Sequence, residues 1–280
     1  MRIRNTTLAV LSDMHVGSST ALFPAGGYWG EHNEDNPVLP NPKQKMIHGV
    51  FSRLCGEVAN ARKDRDLIIV LLGDLVDGFH HGSMQESLFK QDDQIAACIQ
   101  VIEEFKKGVG FGKNDRLYIT RGTEVHVKDV EKEIGKKIKA VKSDSGIHVH
   151  EVLELNINGS QHIFFHHGKA RGAGANEGNE LRNYIRNITI ERRKERLTPP
   201  DVFWSGHTHG HTWSTWNERQ EDGRFRLVHG IVCPSFQAKT IYVYGKAALA
   251  VNSVGGVYVN IGVDGSMGIP QFVVRKTIDN

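Results

Sequence analysis

The chain is short of the features that mark special classes of protein. Only three cysteines occur in 280 residues, Cys55, Cys98 and Cys233, widely separated and without a CxxC pair. That usage excludes a disulfide framework and a thiolate zinc knot, and it leaves the three as reduced core residues. No run approaches the ~20 apolar residues that cross a bilayer, and Met1-Arg2-Ile3-Arg4 leads straight into a short strand pattern. The chain therefore reads as cytoplasmic, unprocessed and without membrane contact. Neither sign of charge dominates: 35 basic against 32 acidic residues give a formal net charge of +3, so attraction to nucleic acid would need a local patch. Internal repeats and low-complexity tracts are missing. With 39% hydrophobic and 24% charged residues, disorder and fibre are excluded as well.

The chain length sits near the upper limit of one core, so a single domain over residues 1–280 is expected, with a strand-rich part from about residue 225. Apolar runs that end in Gly, Asp or His at Thr7–Leu11, Leu67–Leu72, Leu117–Thr120, Ile163–Phe165 and Val202–Trp204 predict buried strands. Helical spacing separates them. Met46, Val50, Leu54 and Val58 form one stripe, and Ile95, Cys98, Ile99, Ile102 and Phe105 a second. Val130, Ile134 and Ile138 form a third, and Leu181, Tyr184, Ile185 and Ile188 a fourth, stopped by Pro199-Pro200. This alternation implies an α/β layered core. From Phe225 the pattern turns to short runs at Ile241–Tyr244, Val257–Ile261 and Phe272–Val274, which read as a second sheet. Residues 16–42, with Tyr28-Trp29, read as a long loop over whatever the first Asp/His pair binds.

What the chain has in excess is histidine, 15 residues, several placed beside Asp or another His. Asp13-Met14-His15 follows the first strand and Gly73-Asp74-Leu75-Val76-Asp77-Gly78 the second. His166-His167-Gly168 and Gly206-His207-Thr208-His209 end two more. Period-2 geometry turns i and i+2 to one side, and in an α/β sheet the strand ends open on one crevice. Carboxylates and imidazoles without thiolate suit manganese, iron, zinc, cobalt or nickel. Two such ions about 3.5–4 Å apart stabilise the attacking and leaving oxygens of an in-line displacement, which is phosphoryl chemistry.

In this order, Asp13-x-His15, Gly73-Asp74-x-x-Asp77, His167-Gly168 and Gly206-His207-Thr208-His209 resemble the calcineurin-like metallophosphoesterase superfamily over residues 7 to 236. The resemblance implies a four-layered α/β/β/α sandwich. It also implies a first metal on Asp13, His15 and His209, a second on His167 and His207, and Asp74 between them. Two divalent ions, manganese first among them, would hold a hydroxide that attacks the phosphorus of a phosphodiester, nucleic acid or nucleotide, in an exonuclease-like role. A phosphomonoesterase on a small molecule or phosphoprotein, and a degenerate metal-binding relative, are the alternatives. The family's Gly-Asn-His is replaced by Arg121-Gly122-Thr123-Glu124-Val125-His126. Glu124 is aligned as the oxygen ligand and His126 as the acid at the leaving group, with Thr123 as the alternative to Glu124. Lys169 and Arg171 are candidate substrate-phosphate contacts, with solvated loop residues as the equal alternative. His166 is expected to point away from the cluster, and Asp77 to fix the turn through backbone amides. The run Arg192-Arg193-Lys194-Glu195-Arg196 reads as a solvated helix face.

Overall fold

The computed structural model describes residues 4–30, 37–79, 86–123, 129–167, 178–220, 222–240 and 252–277. Its first sheet is built on β1 (Thr6–Ser12), β2 (Asp66–Leu72) and β3 (Arg116–Thr120), which run parallel. Two crossover helices join them, α1 (Pro42–Arg62) and α2 (Gln91–Gly108). The helix α1 starts at a capping box, in which Asn41 accepts from the Gln44 amide and Gln44 accepts from the Asn41 amide, each at 2.9 Å, with Pro42 in the first turn. Gln44 then reaches back through Nε2 to the Ser18 carbonyl at 2.9 Å and ties the helix to the loop after β1.

A short helix, α3 (Val130–Lys137), follows β3. The chain then enters a second sheet through a hairpin of β4 (Leu153–Ile157) and β5 (Ser160–Phe164). Asn158 and Gly159 both take positive φ at the hairpin turn, the pairing that suits a two-residue reversal. The fourth helix, α4 (Asn179–Lys194), precedes β6 (Val202–Ser205), β7 (Thr212–Arg219) and β8 (Phe225–Val232). The second sheet has the order β4-β5-β6-β8-β7.

The tail corrects the sequence reading. The strands β9 (Asn252–Ile261) and β10 (Gln271–Thr277) do not extend the second sheet but return to the first, whose order is β10-β9-β1-β2-β3. Among the described residues of the tail, β8 lies in the second sheet, which begins at Leu153. The reason is tertiary: β9 hydrogen-bonds antiparallel to β1, with Leu8 opposite Val259, and local pattern carries no information about that partner. The expected run Ile241–Tyr244 lies outside the described residues.

Alternation along the strands sorts the core into layers. Leu8, Val10, Val70 and Leu72 face Phe164, Trp204 and Ile231 in an apolar layer between the sheets. Their neighbours Ala9, Leu11, Ile69 and Leu71 pack on Ile47, Phe51, Leu54 and Ile102 of α1 and α2. Ile163 and Phe203 turn to Leu181 and Ile185 of α4 on the far side. The order helix, sheet, sheet, helix is thus set by period-2 burial on both sheets. No helix among the described residues is long and apolar enough to cross a membrane.

Candidate metal centre

The carboxyl ends of β1, β2, β5 and β6 come together at one edge of the two sheets. The strands stop just short of the functional residues: β1 ends at Ser12, β2 at Leu72 and β6 at Ser205. Asp13, His15, Asp74, His207 and His209 then all take positive φ, between 43° and 68°, a region that non-glycine residues seldom enter. Period-2 strand geometry is therefore not what aims these side chains. Left-handed turns do so, held by bonds from Asp13 N to the Gly73 carbonyl at 3.1 Å and from His15 N to the Asp74 carbonyl at 3.0 Å. Five strained residues in one place is the pattern expected where surrounding structure overdetermines a site.

Small residues make the close approach possible. An ideal Cβ on Gly206 would lie 2.1 Å from Ser12 Oγ and 2.8 Å from Asp13 Oδ2, and one on Gly122 2.3 Å from Asp74 Oδ1. Glycine at these two positions lets the loops after β3 and β6 close on the acids.

Asp13 is wholly buried and sits at the seam. Its Oδ1 lies 3.0 Å from His166 Nε2 and 3.6 Å from His209 Nε2, and its Oδ2 accepts the His207 backbone N–H at 3.0 Å and lies against the Ser12 hydroxyl. Burial acts to raise its pKa, yet the charges of His166 and His209 hold it well below the usual carboxylate range. His166 is the mirror case. Burial acts to lower it, but Asp13 and Asp74 lift it to about 9. Contrary to expectation, His166 points into the cluster, 3.7 Å from Asp74 Oδ2. The strand β5 stops at Phe164, so the alternation invoked for His166 and His167 no longer applies there.

Asp74 is bound from the loop after β3, where Thr123 donates its backbone N–H to Oδ1 at 2.6 Å and its hydroxyl to Oδ2 at 3.0 Å. The same carboxylate lies 4.0 Å from His15 Nε2. Burial works to lower the pKa of His15, and Asp77, Asp74 and Asp13 outweigh it and raise it. Asp77 was expected to bond backbone amides. Its Oδ1 lies 3.2 Å from His15 Nδ1 and accepts from Gln237 Nε2 at 3.1 Å. A buried carboxylate behind an imidazole fixes which nitrogen faces forward, the arrangement found behind metal-binding histidines. Gln237 gives no signal of this in the sequence; its segment is brought here by the Phe236 N–H bond to the Asp13 carbonyl at 3.0 Å and by isolated bridges of Ser235 to Ser12 and of Gln237 to Ala21.

Behind the site, Glu131 of α3 is 1% exposed and accepts the Gly122 N–H at 2.9 Å. Burial pushes its carboxyl up to about 8.

The donors fall into overlapping groups, each with ligand atoms within 4.8 Å of one another: Asp13, His15 and His209; Asp13, Asp74, His166 and His207; and His166, His167 and His207. His167 and His207 lie with ring centroids 4.9 Å apart, and His15 and His209 5.3 Å apart. Among the described residues, the Nδ1 atoms of His166 and His209 are buried without a hydrogen-bond partner. Buried acids, imidazoles with spare nitrogens and the absence of thiolate fit divalent transition ions. Glu124, His126, Lys169 and Arg171, assigned from the sequence, lie outside the described residues.

No known family profile matches this chain, and no curated protein sequence matches it. Solved structures do. A Streptococcus pneumoniae protein described as a predicted phosphoesterase shares 12% identity over 98% of this chain and 100% of its own, with a TM-score of 0.33. A Thermotoga maritima protein solved by NMR shares 14% over 97% and 99%, with a TM-score of 0.35. The sulfate thiohydrolase SoxB of Thermus thermophilus, in complex with glycerol, shares 12% over 99% of this chain and 57% of its own, with a TM-score of 0.37. These overlaps are loose, and the chemistry of the centre is read from its own residues. By its layer order, two five-stranded sheets between helices, the chain has an α/β/β/α sandwich fold.

Proposed function

We propose that the protein is a metal-dependent phosphoesterase of the calcineurin-like metallophosphoesterase superfamily, acting on a phosphodiester of a nucleotide or nucleic acid. One observation carries this reading: Asp13 belongs to two donor groups at once, one on each side of it, built from both sheets. Asp13, His15 and His209 would hold one ion. His207, with His166 and His167 beside it, would hold the other, completed by Glu124. Asp74 would serve both, a reading supported by its distances of 4.0 Å to His15 and 3.7 Å to His166. Two divalent ions, manganese first, would supply Lewis acidity toward the phosphoryl oxygens and activation of the nucleophile.

The chain's own residues do the rest. Asp77 and Gln237 hold the His15 ring, Thr123 holds the Asp74 carboxylate, and the buried floor of Ser12 and Gly206 keeps bulk water from Asp13. His126 is assigned the proton delivered to the leaving oxygen, and Lys169 and Arg171 the non-reacting phosphate oxygens.

The test compares hydrolysis of bis-p-nitrophenyl phosphate and p-nitrophenyl phosphate with added manganese. The diester is expected to be the better substrate, and Asp74→Asn and His126→Ala are each expected to cost about a hundredfold or more in kcat. Faster turnover of the monoester would make the protein a phosphomonoesterase. Activity untouched by either substitution would end the catalytic reading.

A further inference from the structure

The loop that closes on the metal centre from β3 is held by three successive backbone amides, each with its own partner. Arg121 donates its N–H to the His150 carbonyl at 2.9 Å, Gly122 to Glu131 Oε2 at 2.9 Å and Thr123 to Asp74 Oδ1 at 2.6 Å. The first bond ties the loop to neighbouring backbone and the third ends on a candidate ligand. The middle one goes to a buried acid of α3 that the metal centre itself does not use.

Glu131 is presented from a fixed support. Val130 and Ile134, on either side of it along α3, are buried in the same core cluster as Leu71, Leu75 and Cys98. The acid stands in the first turn of the helix, where the helix dipole favours negative charge. From there its carboxyl reaches back nine residues to Gly122.

Gly122 in turn lies hard against Asp74, since a Cβ on it would run into the Asp74 N and Oδ1. One residue on, the Thr123 hydroxyl donates to Asp74 Oδ2 at 3.0 Å, so both carboxylate oxygens accept from Thr123. A turn of the Gly122-Thr123 peptide would therefore move the carboxylate. Asp74 depends on such holding, because its φ of 47° lies in the left-handed region and persists only where its surroundings fix it. On the far side the backbone is secured, the Asp74 carbonyl by the His15 N–H and the Leu75 carbonyl by the Val16 N–H, each at 3.0 Å. The carboxylate end is governed from the loop after β3.

We infer that Glu131 is a positioning residue for the metal centre: through the Gly122 N–H it sets the peptide from which Thr123 grips and aims the Asp74 carboxylate. The inference rests on the phosphoesterase reading above for the use made of Asp74. Loss of a group that orients a ligand in this indirect way costs about 10- to 100-fold in metal affinity or activity.

The test compares the full-length parent with Glu131→Gln and Glu131→Met. The amide keeps an acceptor oxygen for the Gly122 N–H, and the thioether fills similar volume without one. Manganese affinity by calorimetric titration and kcat on bis-p-nitrophenyl phosphate are each expected to fall about 10- to 100-fold in Glu131→Met, with KM little changed, and Glu131→Gln is expected to regain most of the loss. Urea midpoints establish that all three fold. A lower midpoint for Glu131→Met with manganese affinity and kcat unchanged would overturn the inference, leaving Glu131 a structural acid. A Glu131→Gln variant no better than Glu131→Met would overturn it too, because the acceptor would not be what matters. Amide hydrogen exchange on the metal-free chain keeps the two readings apart. The Gly122 and Thr123 amides are expected to exchange faster in Glu131→Met, and to stay protected in Glu131→Gln, while the amides of β1 are unaffected in both. That pattern in a chain that takes up no manganese and cleaves no ester would uphold the hold on Asp74 while removing the phosphoesterase reading. Unchanged protection at Gly122 and Thr123 in Glu131→Met would overturn the inference whatever the metal does.

Discussion

Removal of Asp77 separates the residues that touch an ion from those that hold them. In Asp77→Ala, His15 keeps its place on the turn after β1 but loses the carboxylate 3.2 Å from Nδ1, and Gln237 loses an acceptor at 3.1 Å. Loss of such a buried hydrogen-bonded partner costs about 1–3 kcal/mol of fold stability. Loss of the group that orients a metal-binding imidazole costs about 10- to 100-fold in affinity. Asp77→Asn distinguishes the two effects, since the amide keeps the volume and an acceptor oxygen while giving up the charge. Calorimetric titration with manganese, or the visible absorption of added cobalt, reads affinity and ligand field without any turnover. The expected order of affinity is parent, then Asp77→Asn, then Asp77→Ala, with urea midpoints showing that all three fold. Equal affinity in all three would refute the role given to Asp77, and with it the inclusion of His15 among the ligands.

Other outcomes follow from single contacts. Gly206→Ala places a methyl group against Ser12 Oγ and Asp13 Oδ2 and should cost about 1–3 kcal/mol in urea unfolding, with a matching loss of metal uptake. Trp204→Ala empties the centre of the layer between the sheets, where Trp204 is fully buried, and should cost about 3–5 kcal/mol. His162, stacked near Phe164 and Trp204, has its pKa pushed down to about 3 by burial and by His229. The unfolded chain takes up that proton near an ordinary histidine value of about 6.5. Stability is therefore full above pH 6.5 and is lost as pH falls toward 3, by up to about 1.4 kcal/mol per pH unit. Urea melts at pH 6.5 and pH 4.5 should show a smaller drop for His162→Leu than for the parent, and parallel drops would contradict the assignment.

The parallel half of the first sheet was legible because each of its strands is an unbroken apolar run followed by a helix with clear spacing, as at Leu67–Leu72 and Ile95–Phe105. The hairpin of β4 and β5 was not recognised, although Asn158-Gly159 between Leu153–Ile157 and Ser160–Phe164 is a usable turn signal. The strand β7 was hidden for a different reason. Its residues Trp213, Thr215 and Asn217 lie toward the sheet edge, half open to solvent, so apolar and polar positions mix along it. The home of β9 and β10 was beyond reach, because pairing to β1 depends on a partner more than two hundred residues away.

At the site, the gathering of Asp13, His15, Asp74, His207 and His209 was foreseeable from residue types at strand ends. The means were not. Extended alternation was invoked for Asp13, His15, His207 and His209, where the backbone is left-handed, and the inward aim of His166 and the pairing of His15 with Asp77 were missed.

The seam between the sheets has a further consequence. Asp13, His15 and Asp74 follow strands of one sheet, and His166, His207 and His209 follow strands of the other. A cation seated there fastens one layer to its neighbour, so its uptake reports that the halves have docked. Saturating metal at a hundred times its dissociation constant would add about 2.7 kcal/mol to unfolding, and a chelator would loosen the sandwich along that one line first.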